Sequence, residues 1–419
     1  MKSVTVAGID CGTNSIRLKV SRVSEDGVED IVPRILRVIR LGQDVDKTHR
    51  FADEALARAY EAAREFAGVL AEHPVDGIRF VATSATRDAE NREEFEDNIE
   101  KILGVRPEVI PGTEEADLSF LGATSIVHRE VEAPYLVVDL GGGSTELVLG
   151  GDGVTHPSTQ VQAAFSMNIG SVRMTERHLK NDPPTEGQIA EAVADIDAHI
   201  DEAFKIVPAG KTHTIIGVSG TVTTMTALAM GLTEYDHTAV DGARCTLEDA
   251  YAVDDRFLHM PREERLTYKT IHPGRVDVVG GGALVWNRVL AKVSEAAYED
   301  HGQRAWSVGR HRAGLRQEIA CCALTWHNSL ASAFSSGRRK ASMAKSVYAV
   351  DLKSTSSDCG FESRWRHFWK PPEMAVFLYS PTVLASSRFT AIQPFSTVGY
   401  GKMWAMCRQN VAYRSRNIP

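Results

Sequence analysis

Two glycine-rich turns are the stretches of this 419-residue sequence with the clearest chemical potential. Each turn follows a strand-like run and combines glycine with hydroxyl and acidic side chains. The residues concerned are Asp10, Gly12, Thr13, Asn14 and Ser15 in the first turn, and Asp139, Gly141, Gly142, Gly143, Ser144 and Glu146 in the second. Consecutive backbone N–H groups in such turns form concavities that bind anions, and glycine leaves few Cβ atoms in the way. Both turns are therefore predicted to bind phosphate.

Three carboxylates lie in these turns, namely Asp10, Asp139 and Glu146. A carboxylate repels phosphate, so its presence is best explained by a cation between the two. Mg²⁺ prefers oxygen ligands and usually keeps several of its waters. The sequence thus predicts Mg²⁺ as a cofactor held near these three residues. For either turn alone, a plain hairpin with a capping aspartate is an equally good interpretation.

A third glycine turn, IIGVSGTVTT, lies between a predicted strand and a predicted helix. It contributes Ser219, Gly220 and Thr221, and the N-terminus of a helix in this position favours an anion. A fourth, VVGGGALV, repeats the pattern, but close helix packing is the favoured interpretation of Gly280–Gly282. The sequence contains neither a GxxxxGK[ST] motif nor a GxGxxG motif with its downstream acid, so neither a P-loop nor a dinucleotide-binding site is predicted.

Hydrolysis of a phosphoanhydride also needs a carboxylate that activates water and a positive charge on the phosphoryl group. Glu115 begins a predicted helix just before the second domain, and Arg87 follows a buried strand. Arg87 offers the bidentate donors that suit phosphate oxygens. Alone, each would be an ordinary surface residue; their predicted place near the cleft makes them the catalytic candidates.

The elements that position these residues follow an α/β pattern that occurs twice. Asp, Gly, Ser and Leu recur at matching offsets, as Asp10, Gly12, Ser15 and Leu18 and as Asp139, Gly141, Ser144 and Leu147. We therefore expect a duplication that gives two α/β domains, over residues 1–126 and 127–300, facing each other across a cleft. The helix of TEEADLSFLGATSIV is expected to begin with Thr113 as its N-cap. Clefts between domains are favoured ligand sites.

Composition excludes several classes of protein. The net charge is −8, 43% of the residues are hydrophobic, and no apolar run is long enough for a transmembrane helix. The six cysteines have no regular spacing, so neither a disulfide framework nor a cysteine zinc site is predicted. We expect a cytoplasmic protein with no membrane or nucleic-acid partner, and a homodimer is a further expectation.

Residues 301–419 differ from the rest of the chain because they are basic and rich in Ser, Arg, Trp and Cys. A basic accessory domain could bind polyanions. Translation out of frame from near residue 295 is the favoured explanation, and it would leave an atypical or disordered tail.

Up to residue 295, the chain resembles the exopolyphosphatase and guanosine pentaphosphate phosphatase family, a branch of the actin, Hsp70 and sugar-kinase superfamily. The resemblance lies in the stretches GIDCGTNSIRL, ATSATRDAENREEF, IPGTEEADLSFLGA, LVVDLGGGSTELVLG, SMNIGSVRMTERHL, IIGVSGTVTT and HPGRVDVVGGGAL. It implies two ribonuclease-H-like domains of the actin-like ATPase type and Mg²⁺-dependent removal of terminal phosphate. By the same resemblance Glu115 would be the catalytic base, and Arg87 would help to hold the chain being cleaved. No HD metal motif follows residue 300, which indicates the short, two-domain type.

The function expected from these features is release of orthophosphate from inorganic polyphosphate, an exopolyphosphatase activity. The near alternative is removal of the 5′-phosphate of pppGpp, and the motifs do not separate the two substrates. Alternatives from other classes are a phosphotransferase similar to sugar kinases and a non-catalytic sensor of phosphate or nucleotide. A water-activating carboxylate beside DLGGGSTE fits the hydrolase better than the kinase.

Overall fold

The computed structural model describes residues 3–24, 27–127, 132–301 and 319–322, with the backbone alone for 126–127, 298–301 and 319–322. These residues form two α/β lobes, each built on one sheet. The elements of the first lobe are β1 (Val4–Cys11), β2 (Ser15–Ser24), β3 (Gly27–Val38), α1 (Val45–Thr48), α2 (Asp53–Glu72), β4 (Gly77–Ala82), α3 (Ser84–Asp88), α4 (Arg92–Leu103) and β5 (Glu108–Val109). Helix α5 (Gly112–Val127) leads to the second lobe.

The second lobe repeats the strand order of the first. Its elements are β6 (Tyr135–Leu140), β7 (Thr145–Gly150), β8 (Val161–Met167), α6 (Ser171–Arg177), α7 (Glu186–Phe204), β9 (Thr214–Val218), α8 (Ser219–Ala229), α9 (His237–Val240), β10 (Arg244–Cys245), α10 (Leu247–His259), α11 (Arg262–Arg265), α12 (Val279–His301) and β11 (Ile319–Cys322). The sheets run β3-β2-β1-β4-β5 and β8-β7-β6-β9-β11-β10. In both, an antiparallel meander is followed by parallel strands, as the predicted duplication requires.

Each lobe has its own apolar core beneath its helices. In the first lobe Phe66, Phe80 and Phe95 are fully buried between the sheet and helices α2 and α4. In the second, Trp286 of α12 and Ile196 of α7 belong to one large buried cluster. Because each sheet is covered by its own helices, the ends of β1 and β6 are left to meet at the boundary between the lobes.

Polar contacts join the two lobes beside that boundary. Arg173 of α6 pairs with Asp88 of α3 at 2.5 Å and also with Asp46 of α1. On another edge, Arg40 pairs with Asp277 at 2.6 Å. These ion pairs are partly buried, so they restrict the relative movement of the lobes more than exposed pairs would.

Two local expectations were wrong. Helix α5 begins at Gly112, so Thr113 lies inside the helix and is not its N-cap. The segment Gly280–Gly282 forms the first turn of α12, with no strand before it. A Cβ on Gly282 would lie 2.6 Å from the Thr221 side chain, and this agrees with the packing interpretation of these glycines.

The domain boundaries stay predictions, but two observations bear on them. Helix α5, placed in the first domain by its sequence position, packs Ala116 and Phe120 against β6, β7 and β9. Strand β11, from the segment interpreted as out of frame, lies between β9 and β10. The rest of residues 301–419 lies outside the described residues, apart from His301. None of the described helices has the length and apolarity needed to cross a membrane.

Asp254 of α10 is a buried carboxyl group away from the cavity between the lobes. Its side chain is 1% exposed, and neither oxygen has a hydrogen-bond partner among the described residues. Burial raises its pKa well above the usual value. The folded state therefore binds this proton more tightly than the unfolded state does, and stability falls as pH rises above the unfolded pKa of about 3.9.

We therefore expect Asp254→Asn, which resembles the protonated acid, to remove this loss of stability. The parent would lose up to about 1.4 kcal/mol of unfolding free energy per pH unit above about pH 4 from this group. In melting curves, the Tm of the variant should rise relative to the Tm of the parent between about pH 5 and pH 8. Asp255→Asn is the control, because Asp255 is 75% exposed on the same helix. A constant difference in Tm across this range would contradict the assignment.

Candidate active site

The predicted glycine turns have the same local structure in both lobes. The Gly12 N–H donates to the Ser15 carbonyl at 3.0 Å, and the Gly141 N–H donates to the Ser144 carbonyl at 3.0 Å. Each bond closes the hairpin between the first and second strands of its sheet. The two turns therefore present equivalent surfaces, as the repeated motif predicts.

The turns approach each other closely at Gly143. A Cβ on this residue would lie 2.7 Å from Thr13 Oγ1 and 2.7 Å from Ser84 Oγ, both in the first lobe. Glycine is thus required here by the contact between lobes, since either oxygen would clash with a larger residue.

One cavity of about 80 Å³ lies between the turns. Most of the predicted site residues line it, together with Arg17, Thr83, Ser171 and Arg275 from outside the predicted set. The predicted residues that line the cavity are Asp10, Gly12, Thr13, Asn14, Ser15, Glu115, Asp139, Gly141, Gly142, Gly143, Ser144, Ser219, Gly220 and Thr221. Glu146 and Arg87 are the predicted site residues that do not line it.

The N-terminus of α8 closes one side of the cavity. Strand β9 ends at Val218, and Ser219 follows with φ at 78°, a region that non-glycine residues rarely occupy. Such strain is found disproportionately at functional sites. Ser219, Gly220 and Thr221, the first residues of this 11-residue helix, line the cavity, and the N-terminus of a helix favours negative charge.

Glu115 reaches the cavity from the first turns of α5. Arg87 donates to Glu115 Oε2 at 2.8 Å and to the Ile110 carbonyl at 2.9 Å, so it fixes the carboxylate from behind. Burial raises the pKa of Glu115 to about 7, with Arg87 opposing the shift. The neighbouring Glu114 pairs instead with Arg79 at 2.7 Å and lies outside the cavity. Of the two adjacent acids, Glu115 alone is therefore placed to act on a bound molecule.

Asp139 and Glu146 are cross-strand partners on β6 and β7. The Ser119 hydroxyl donates to Asp139, and the Ser166 hydroxyl donates to Glu146 Oε1 at 2.7 Å. Burial raises the pKa of Asp139 and raises that of Glu146 well above its usual value, and the nearby Glu115 carboxylate adds to the shift of Glu146. Three carboxylates thus share one poorly solvated region, which favours a cation or a proton between them.

These side chains could bind a divalent cation, but they provide few protein ligands for it. Glu146 Oε2 is buried and has no hydrogen-bond partner among the described residues, so one oxygen is left for a ligand. Within the described ranges, however, no three His, Cys, Asp or Glu side chains converge as a protein-only metal cage. Asp10 also forms an ion pair with Arg17. The donor set therefore suits a cation held by one or two carboxylates with water completing its shell.

Sequence reasoning missed two cavity arginines, Arg17 and Arg275. Arg17 lies opposite Asp10 in the β1–β2 register, and strand alternation puts it on the same face as Ser15, so a signal for it existed. Arg275 ends the short 3-10 turn Pro273–Arg275, and its one signal in the sequence is that it lies in HPGRVDVVGGGAL, a stretch of the family resemblance.

Arg275 is a guanidinium placed against the backbone of α8. No ion pair or hydrogen bond joins its side chain to another residue in the described part of the chain. Burial, together with the nearby Arg17 and Arg34, lowers its pKa to about 10, and Tyr235 opposes the shift. A guanidinium in this setting stays charged at neutral pH, and it lacks an acidic partner, so it is suited to bind an anion.

Two lobes with the same order of strands, whose glycine turns line a shared cavity, define a two-domain, actin-like α/β fold, which is the fold class predicted from the sequence. The Ppx/GppA phosphatase family model matches residues 20–303, and the chain belongs to this family. It is 42% identical over 305 residues to Exopolyphosphatase 2 of Mycobacterium tuberculosis, covering 71% of this chain and 93% of that protein.

Two further comparisons agree with this assignment. A crystal structure of an exopolyphosphatase-like protein has 72% sequence identity and a TM-score of 0.75, and the match covers 80% of this chain and 100% of that one. The guanosine-5′-triphosphate,3′-diphosphate pyrophosphatase of Aeromonas salmonicida is 28% identical over 281 residues, which are 67% of this chain and 53% of that protein.

The position of Arg275 gives a test of the anion site. A Cβ on Gly220 would lie 1.5 Å from Arg275 Nη1, so Gly220→Ala must push the guanidinium away while the fold is kept. We expect the affinity for tripolyphosphate, measured by calorimetry, to fall about tenfold or more, because one charge-assisted hydrogen bond contributes about that much to affinity. Gly68→Ala is the control, because nothing lies within 4 Å of its Cβ position. Unchanged affinity in Gly220→Ala would exclude Arg275 from the anion site.

Proposed function

We propose that this chain is an exopolyphosphatase that releases terminal orthophosphate from inorganic polyphosphate. The observation that carries the proposal is the position of Glu115. Its carboxylate, 13% exposed and paired with Arg87, lines the same small cavity as both glycine turns and the N-terminus of α8. The family assignment and the relative from Mycobacterium tuberculosis support the same activity.

The reaction follows from the arrangement of the side chains. The terminal phosphoryl group would lie on the N–H groups of the two turns, with Ser15 and Ser144 as further donors. Glu115 would take a proton from a water molecule as the water oxygen bonds to the terminal phosphorus. The bridging P–O bond breaks, and its electron pair leaves with the shortened chain, so the products are orthophosphate and a chain with one phosphate fewer.

We further propose that Mg²⁺ is the cation, held by Asp139 and Glu146 with Asp10 nearby. When bound, Mg²⁺ supplies neutralisation of the phosphate oxygens and of the clustered carboxylates. Arg17 and Arg275 add positive charge where the bridging oxygen leaves. Because Arg87 is used to hold Glu115, we assign it to positioning of the base, whereas the sequence placed it on the substrate. The cytoplasmic location and the homodimer stay predictions.

A pppGpp phosphohydrolase is the second candidate, favoured by the similarity to the enzyme from Aeromonas salmonicida. Both activities use the same attack on a terminal phosphate and differ in the leaving group. A sugar-kinase-like activity is less well supported. The family model and the relative from Mycobacterium tuberculosis are both phosphatases, and neither supports a kinase. A sensor would bind the same anions and release no phosphate.

Replacement of Glu115 tests the hydrolase directly. We expect Glu115→Gln to lower the rate of orthophosphate release from polyphosphate in Mg²⁺ by at least about a hundredfold, because Gln cannot accept the proton. Glu114→Gln is the matched control and should keep nearly the parental rate, since Glu114 pairs with Arg79 outside the cavity. Equal rates for Glu115→Gln and the parent would remove Glu115 from this role. Binding without release by the parent would identify a sensor.

A further inference from the structure

A second cavity, of about 360 Å³, adjoins the first. The two share Arg17, Ser219, Gly220, Thr224 and Arg275 in their walls, so they meet at the guanidinium of Arg275. Apart from the shared Arg17 and Arg275, the proposed chemistry at Glu115 uses no residue of the second cavity. Its size is within the range of ligand-binding pockets.

The two cavities differ in the sign of their charges. The first is lined by the carboxylates of Asp10, Glu115 and Asp139. No Asp or Glu is among the residues that line the second, where Arg34 and Lys269 join the shared arginines. A polyanion that spans both cavities would therefore place its cation-bound end beside Glu115 and the rest of its charge beside the basic groups.

Arg34 of β3 is partly buried and lines the second cavity. Burial and the nearby Arg17 lower the pKa of Arg34, while Tyr235 and Asp241 oppose the shift. Its side chain also has a hydrogen bond to Tyr235, so its position is fixed. Lys269 is at the exposed side, paired with Glu234 at 2.7 Å, with its side chain 73% exposed. An exposed pair of this kind contributes little stability and is readily exchanged for a phosphate partner.

We propose that the second cavity binds the leaving part of an inorganic phosphate chain, and that Arg34 and Lys269 determine how strongly longer chains are preferred. The inference rests on the proposed function, because it assigns the terminal phosphate to the cavity beside Glu115. Chains that extend past Arg275 gain contacts with Arg34 and Lys269, and the shortest chains do not.

The experiment compares Arg34→Gln/Lys269→Gln with the parent on long-chain polyphosphate and on tripolyphosphate. Gln keeps a hydrogen-bonding side chain at each position and removes the charge. We expect KM for the long chain to rise about tenfold or more, kcat to change less than about twofold, and KM for tripolyphosphate to change much less. Arg37→Gln is the control, since Arg37 is on the same strand, pairs with Glu65, and is absent from the cavity wall.

Three outcomes would overturn the assignment. The first is an equal loss on both substrates, and the second is no loss on either. The third is a loss confined to GTP tested in parallel, which would indicate a nucleoside site formed with the apolar wall of Leu36, Ile271 and Pro273. If the parent releases no phosphate from any substrate, the proposed function fails.

Binding separates that failure from failure of the second cavity. Calorimetry with long-chain polyphosphate, in the Glu115→Gln background with and without the two Gln substitutions, needs no turnover. A Kd about tenfold weaker with the substitutions supports the second cavity, and an unchanged Kd overturns it.

Discussion

The gathering of Glu115, Asp139 and Glu146 in one buried region is the constraint on which the site depends. Burial is the largest cause of the raised pKa values of all three carboxyl groups, and repulsion from neighbouring carboxylates, including Asp10, adds to it. Hydrogen bonds from Ser119 and Ser166 and the ion pair with Arg87 offset part of it. The remaining unfavourable charge would favour the proposed cation, because a divalent ion would neutralise the carboxylates that have no basic partner.

The fold forces this gathering through strand register. Asp139 lies opposite Glu146 in the antiparallel β6–β7 pair. It also lies opposite Val218 in the parallel β6–β9 pair, so Ser219, the next residue and the start of α8, is close to Asp139. Helix α5 packs on the same sheet and adds Glu115. The first lobe supplies the matching turn at Asp10, and the ion pairs of Arg173 and Arg40 hold the lobes at the distance where both turns reach one cavity. One repeated topology therefore positions both the acidic side chains and the glycine turns that are proposed to bind phosphate.

Repeated local motifs could be predicted from the sequence because their physics is local. A strand, a glycine turn and a second strand specify a hairpin whether or not the rest of the chain is known, and both hairpins were found with the predicted turns. The gathering of most predicted site residues in one cavity followed from the duplication and the family resemblance. Contacts between segments that are distant in the sequence were harder to predict. The pairing of Arg87 with Glu115, the use of Ser119 and Ser166, and the approach of Arg275 to Gly220 depend on how helices and loops pack, and spacing along the chain does not encode this.

The most direct test of the central claim is the melting temperature with and without Mg²⁺, for the parent and for Glu146→Gln. A cation that relieves carboxylate repulsion should raise Tm of the parent, since it binds the folded state alone. Glu146→Gln should melt higher than the parent in the absence of metal and gain less from Mg²⁺, because one source of repulsion is gone. A parent that gains nothing from Mg²⁺, together with a variant no more stable than the parent, would contradict the account.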